Sequence, residues 1–168
     1  RGYRGNAGAN VQIALQENFE SSIGPVDLNN DGDTADPGEH AGWIGGTLSS
    51  EALTVQQHSL KVTNGNASRA ITDAYAQDKT YLVSFLAKGQ AGMALSVQIG
   101  AISLGTVRLT PSWQTFSLGP ATAAAANPAL TFTGSGTFFI DEVILKAVVD
   151  TVYLVKNSWD IPLECDTL

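Results

Sequence analysis

The sequence predicts an all-β domain, a sandwich or barrel of short strands. Many short runs rich in β-branched and aromatic residues recur at fairly even spacing, separated by Gly and Pro breakers. Nowhere in the 168 residues is there a long amphipathic helical repeat. Charged residues make up only 15%, against roughly 25% in an ordinary soluble domain. Ser, Thr, Asn, Gln and Gly must therefore supply the surface polarity, a composition typical of extracellular β-proteins. A chain of this length suits one domain with a substantial core.

Residues 1–10 (RGYRGNAGAN) are Gly-rich and basic, and read as an arm or linker. Residues 11–16 alternate with period two and give the first strand, closed by Asn18-Phe19-Glu20. An acidic loop follows from Asp27 to Glu39, then Trp43-Ile44 and a Gly-rich turn. Short strands are expected at 52–55, 59–63 and 69–72, and the strongest internal strand at 80–88, ending at Gly89. Further strands fall at 94–99, 105–109 and 113–118. Residues 121–126 have helix propensity, but Pro120 and Pro128 leave space for barely a turn. Strands at 129–133 and 137–145 complete the regular pattern. Beyond Lys146, residues 148–149 and 151–155 read as one extra strand and 156–168 as a tail. The expected organisation is an arm at 1–10, a sandwich at 11–147, and a C-terminal strand and tail at 148–168 available to a neighbouring subunit.

The most strand-like run is Gly136-Thr137-Phe138-Phe139-Ile140-Asp141-Glu142-Val143-Ile144-Leu145. Simple alternation puts Phe139, Asp141, Val143 and Leu145 on one face, and Phe138, Ile140, Glu142 and Ile144 on the other. Both faces are mainly apolar, as in a strand covered on two sides. An acid inside such a strand needs a compensating partner, because an unpaired buried charge is costly. A bound cation would supply one.

Net charge −7 argues against nucleic acid, since no basic stripe is present to displace phosphate counterions. It suits a soluble protein, or one that collects cations. No apolar run approaches the roughly 18 residues of a membrane span. The start at Arg1, without Met or a signal segment, reads as a processed or excised chain. A single cysteine, Cys165, excludes an internal disulfide framework and reads as a bystander thiol, with an intermolecular bridge as the alternative.

Four motifs in order form a resemblance over residues 11–145. Asn18-Phe19-Glu20, Trp43 and His58-Ser59-Leu60-Lys61-Val62 look like the opening half of a carbohydrate-binding module of the family 4 and 9 type. Lys79-Thr80-Tyr81-Leu82-Val83-Ser84-Phe85-Leu86-Ala87-Lys88-Gly89 is similar to that family's central strand. Ser112-Trp113-Gln114-Thr115-Phe116 resembles its "W-Q" strand, and the Gly136 to Leu145 run its closing strand. The resemblance implies a jelly-roll β-sandwich, secreted or on the cell surface, with Trp43 and Trp113 as framework residues. It also implies a structural calcium held by Glu20 and Asp141 together with backbone carbonyls.

Asp27-Leu28-Asn29-Asn30-Asp31-Gly32-Asp33 matches the first half of a D-x-[DN]-x-[DN]-G calcium loop, with Asp36 and Glu39 nearby. Position twelve is Gly38 rather than Glu, so the loop is not an EF-hand. A calcium-binding loop and a solvated acidic turn both remain open. No catalytic residue is expected. Alternation turns Asp141 and Glu142 to opposite faces, whereas glycosidase carboxyl pairs face each other about 5–9.5 Å apart. His40 and His58 have no partner at zinc spacing. Ser135 lies outside a G-x-S-x-G elbow. Asn66-Ala67-Ser68 fits a glycosylation sequon. The expected function is a non-catalytic extracellular module that binds a polysaccharide through a sheet face or loop-end cleft, with Tyr75 and Trp159 as stacking residues. The competing expectation is a structural subunit of a filament, pilus-like appendage or surface layer, self-associating through residues 11–15 or 148–155 at its edges.

Overall fold

The computed structural model describes residues 10–20, 42–51 and 58–149. Within them the chain forms strands β1 (Asn10–Glu17), β2 (Trp43–Ile44), β3 (Thr47–Ser49), β4 (Ser59–Ala70), β5 (Thr80–Gly89), β6 (Ala94–Ile99), β7 (Ile102–Arg108), β8 (Gln114–Thr122) and β9 (Ala129–Val149), with no helix. All pairings are antiparallel. The acidic loop at 27–39, the strand expected at 52–55, and the arm and tail lie outside the described residues.

The 21-residue β9 is the spine. Its first part, Ala129 to Ile140, pairs with β4 on one side and, over Leu130 to Gly134, with β6 on the other. Further along, Phe138 to Val148 pairs with β5, and Val143 to Val149 with β1. The strand thus passes from one layer of the molecule to the other, and the chain folds over it as a jelly-roll β-sandwich.

Strict alternation does not hold along β9. Ser84 stands opposite Ile144 and Leu86 opposite Asp141, so Phe85 faces two residues. Glu142 takes up this bulge with a left-handed φ of 47°. The extra residue shifts the phase: Phe138 and Ile140 are buried before it, and Val143, Leu145 and Ala147 after it. Phe139, expected to share the face of Val143 and Leu145, lies instead on the outer side of the sheet, beneath lysine side chains. A bulge re-aims side chains in this way at sheet positions next to functional groups.

An aromatic chain crosses the core. Phe19 meets Trp43 at 5.7 Å, Trp43 meets Phe132 at 6.0 Å, and Phe132 meets Phe85 edge-on at 5.1 Å. Phe85 continues to Phe116 at 5.6 Å. Trp43, Phe85 and Phe132 are fully buried, so Trp43 is the framework residue expected of it. Trp113 is half-buried on the outer side, edge-on to Phe139.

Gly45 closes the turn between β2 and β3 with φ +87°, and an added Cβ would lie 2.2 Å from the Asn66 carbonyl oxygen. Gly45→Ala is therefore expected to cost roughly 1–3 kcal/mol from the backbone conformation alone. The clash adds to that cost, and a urea midpoint indistinguishable from the parent would refute it.

Candidate functional site

Two places in the fold gather polar groups. The first is a cleft of about 490 Å³ where β1 meets the far end of β4, lined by Gln12, Ile13, Arg69, Thr72, Asp73 and Lys79 among others. Its floor exists because Gln12 stands opposite Ala147 in the β1–β9 ladder. The register shifts between Ile13 and Leu15 in that wall. The opposite wall is the loop that leaves β4, which is firmly held. Ile71 donates to the Pro128 carbonyl at 2.8 Å, and Asp78 to that of Ala123 at 3.1 Å. Asn127 donates to the Asp73 carbonyl at 2.8 Å.

The Asp73 carboxylate accepts from Lys79 Nζ at 2.5 Å and from the Tyr75 backbone N–H at 2.9 Å. Lys79 above all holds this carboxyl below its ordinary range; burial opposes it, and the Tyr75 amide adds to the lowering. Arg69 Nη1 lies 3.8 Å from Glu17 Oε2 and makes no hydrogen bond. Hydrogen-bond donors and acceptors both line the cleft, as in sites that orient a polar ligand. Asp73 is the one carboxylate among the lining residues, and Lys79 keeps it ionised. That arrangement suits recognition rather than proton transfer. Tyr75, on the same loop, is 82% exposed, the most exposed large hydrophobic side chain described.

The second place is Asp141, fully buried. Its Oδ1 accepts from the Glu142 backbone N–H at 2.7 Å, and its Oδ2 has no hydrogen-bond partner. Burial, opposed by that one hydrogen bond and reinforced by the charges of Glu142, Glu20 and Glu17, pushes its carboxyl up to about 7. Glu17, itself buried, accepts from the Phe19 N–H at 2.7 Å. Glu20 accepts from the His58 backbone N–H and lies 3.5 Å from His58 Nδ1. Glu20 and Glu17 both act on Asp141 electrostatically; the resemblance implied Glu20 as its partner at a calcium, while Glu17 was not foreseen. Among the described residues no three Asp, Glu, His or Cys side chains converge on one point. Asp27, Asn29, Asp31, Asp33, Asp36, Glu39 and Trp159 lie outside the described residues.

The outer sheet face offers a smaller hollow of about 200 Å³, bordered by Leu82, Ser84, Ser117, Ile144 and Lys146 among others, with no aromatic ring in its lining. A sugar seated in that hollow would find no stacking residue in its lining.

No family model matches the chain, and no curated protein matches it. Solved structures do. The CBM22-1 xylan-binding domain of Paenibacillus barcinonensis Xyn10C is similar with a TM-score of 0.61, over 84% of this chain and 98% of its own, at 15% identity. The fold is that of the carbohydrate-binding modules. A CBM22-1–GH10 structure from Clostridium thermocellum Xyn10B, complexed with xylohexaose, is similar at TM-score 0.56 and 18% identity, covering 84% of this chain and 30% of that one. The module CBM6cm-2 of Cellvibrio mixtus lichenase 5A, in complex with cellotriose, gives 0.50 at 12% identity, over 80% of this chain and 97% of its own. Module folds of families 22 and 6 thus share this architecture at identities that speak for the fold alone.

Proposed function

We propose that this chain is a non-catalytic glycan-binding module of a secreted or surface protein, related to the family 4 and 9 type through its sequence motifs. The observation that carries the proposal is the polar cleft beside Tyr75, on a fold shared with a xylan-binding domain and with a module in complex with cellotriose. Gln12, Arg69, Thr72, Asp73 and Lys79 would hydrogen-bond sugar hydroxyls, and Tyr75 would stack on a pyranose face. Tyr75→Ala is expected to weaken binding to a neutral β-glycan such as xylan at least about tenfold, the usual cost of losing an aromatic anchor. Its melting temperature should not move, because the ring is solvent-exposed. Unchanged affinity in calorimetric titration would remove Tyr75 and the cleft from the reading.

A structural calcium at Asp141 belongs to the same proposal. The orphaned Oδ2 fits a hard cation, and Glu20 or Glu17 would contribute a second carboxylate, with backbone carbonyls and water completing the shell. When bound, the ion would neutralise acids that otherwise repel one another.

A second reading is a filament or surface-layer subunit. What favours it is β1, which pairs with nothing but β9 among the described residues and exposes Val11 by 56% and Ile13 by 60%. An edge of this kind accepts a neighbour's strand. Light scattering on the purified chain separates the two readings: a monomer near 17.6 kDa favours the module. Concentration-dependent polymers that disappear on deletion of residues 150–168 favour the subunit.

A further inference from the structure

The outer side of the β4–β9–β5 sheet carries a group of side chains remote from the cleft. Lys61 on β4 and Lys88 on β5 stand directly opposite Phe139 from either side. Their ammonium groups lie 5.6 Å and 4.8 Å from the Phe139 ring centroid. Lys88 also sits 5.4 Å from the Trp113 ring, which meets Phe139 edge-on at 6.4 Å. Glu51 forms an ion pair with Lys88. Among the described residues no carboxylate lies within ion-pairing distance of Lys61.

Covering Phe139 would need only one aliphatic stem. Two lysines converge on the ring instead, two of the six Lys and Arg among the described residues of a chain whose net charge is −7. The two like charges repel, and the single acid Glu51 offsets one of them. Its carboxyl is held below the ordinary range by Lys88 and further by Lys61. The Lys61 ammonium, over Phe139 and without a carboxylate partner among the described residues, gains only the modest energy of a cation–π contact. Beside the half-buried Trp113 ring that meets Phe139, such a charge suits an anion with a flat apolar face.

We propose that this face is a second binding surface for acidic polysaccharides, with Trp113 stacking on a uronate ring and Lys61, supported by Lys88, engaging its carboxylate. The proposal rests on the glycan-binding reading and uses none of the cleft residues. Polygalacturonate and neutral xylan are compared by affinity electrophoresis on the parent, Lys61→Gln, Trp113→Ala and Tyr75→Ala. The parent should be retarded by polygalacturonate, and Lys61→Gln should weaken that binding about tenfold, as loss of a charge-assisted hydrogen bond does. Trp113→Ala should abolish it, while both variants keep the parent's affinity for xylan.

Lys61→Gln decides the matter if Trp113→Ala melts below the assay temperature. No retardation of the parent by polygalacturonate, or full binding by Lys61→Gln, overturns the proposal. Binding of poly-glutamate but not polygalacturonate through Lys61 also overturns it and assigns the face to an acidic protein partner. Loss of xylan binding in Tyr75→Ala reports on the cleft alone, so the two readings fail separately.

Discussion

In the presence of a chelator, the purified chain is expected to lose stability as pH rises from about 4 to about 7. The cause is Asp141. Its carboxyl has an ordinary value of 3.8 and is pushed up to about 7 by burial and by neighbouring acids. Between those values the folded chain binds more protons than the unfolded one, so stability declines with pH. The contribution is fully present below the unfolded value and lost once pH passes the folded one. A rise of that size corresponds to about 4 kcal/mol, a large part of the 5–15 kcal/mol typical of a domain. Calcium should flatten the profile by taking the place of the proton. Asp141→Asn keeps the shape of the side chain but removes the charge. The variant should be more stable than the chelated parent at pH 8 and should lose this part of the calcium response. A chelated parent whose pH profile matches that of Asp141→Asn would contradict the argument.

Phe132→Ala is expected to cost about 4 kcal/mol, in the range measured when a large buried aromatic is truncated. Phe132 has no exposed surface and touches two rings, Trp43 and Phe85, on different strands. Its loss opens a cavity at the centre of the aromatic chain, and the surrounding strands cannot collapse into it without breaking their ladders. A shift in the denaturant midpoint with unchanged slope would show the loss is stability alone. A cost below about 1 kcal/mol would mean that the core repacks around the gap.

The fold class was legible in the sequence, and β5 and β6 lie almost where alternation put them. What misled were glycines. Separate strands were expected at 59–63 and 69–72, but Asn64 and Gly65 both adopt positive φ as a bulge within the single strand β4. Its partner β9 likewise runs unbroken through Gly134-Ser135-Gly136. Gly134 is there for space rather than turning: a Cβ would meet the Phe138 ring at 2.8 Å. The burial of Asp141 could be anticipated because an acid stood among apolar neighbours. The bulge beside it could not, since nothing in Asp141-Glu142-Val143 marks a phase shift. The cleft was equally hidden. Its walls come from residues 12–15, 69–73, 79 and 147, which join only after the chain has closed, and they match no motif. The cluster at Phe139 was missed for the same reason as the face assignment: alternation without the bulge put that ring on the same side as Val143 and Leu145.

The central position of β9 also governs when the protein can fold. Among the described residues β1 has no other strand partner, while β4, β5 and β6 are joined to one another only through it. Before residues 129–149 leave the ribosome, the nascent chain can hold the β2–β3–β4 edge, the β5–β8 pair and the β6–β7 hairpin, but lacks the one strand that hydrogen-bonds to all three. The pairing of Asn10 with Val149 spans most of the polypeptide, so acquisition of native structure must be late, slow and dominated by distant contacts. A chain of this kind spends its synthesis with unpaired apolar strands exposed. Holding it unfolded until it is complete, whether by a chaperone or by export in an extended form, would suit its topology better than folding as it is made.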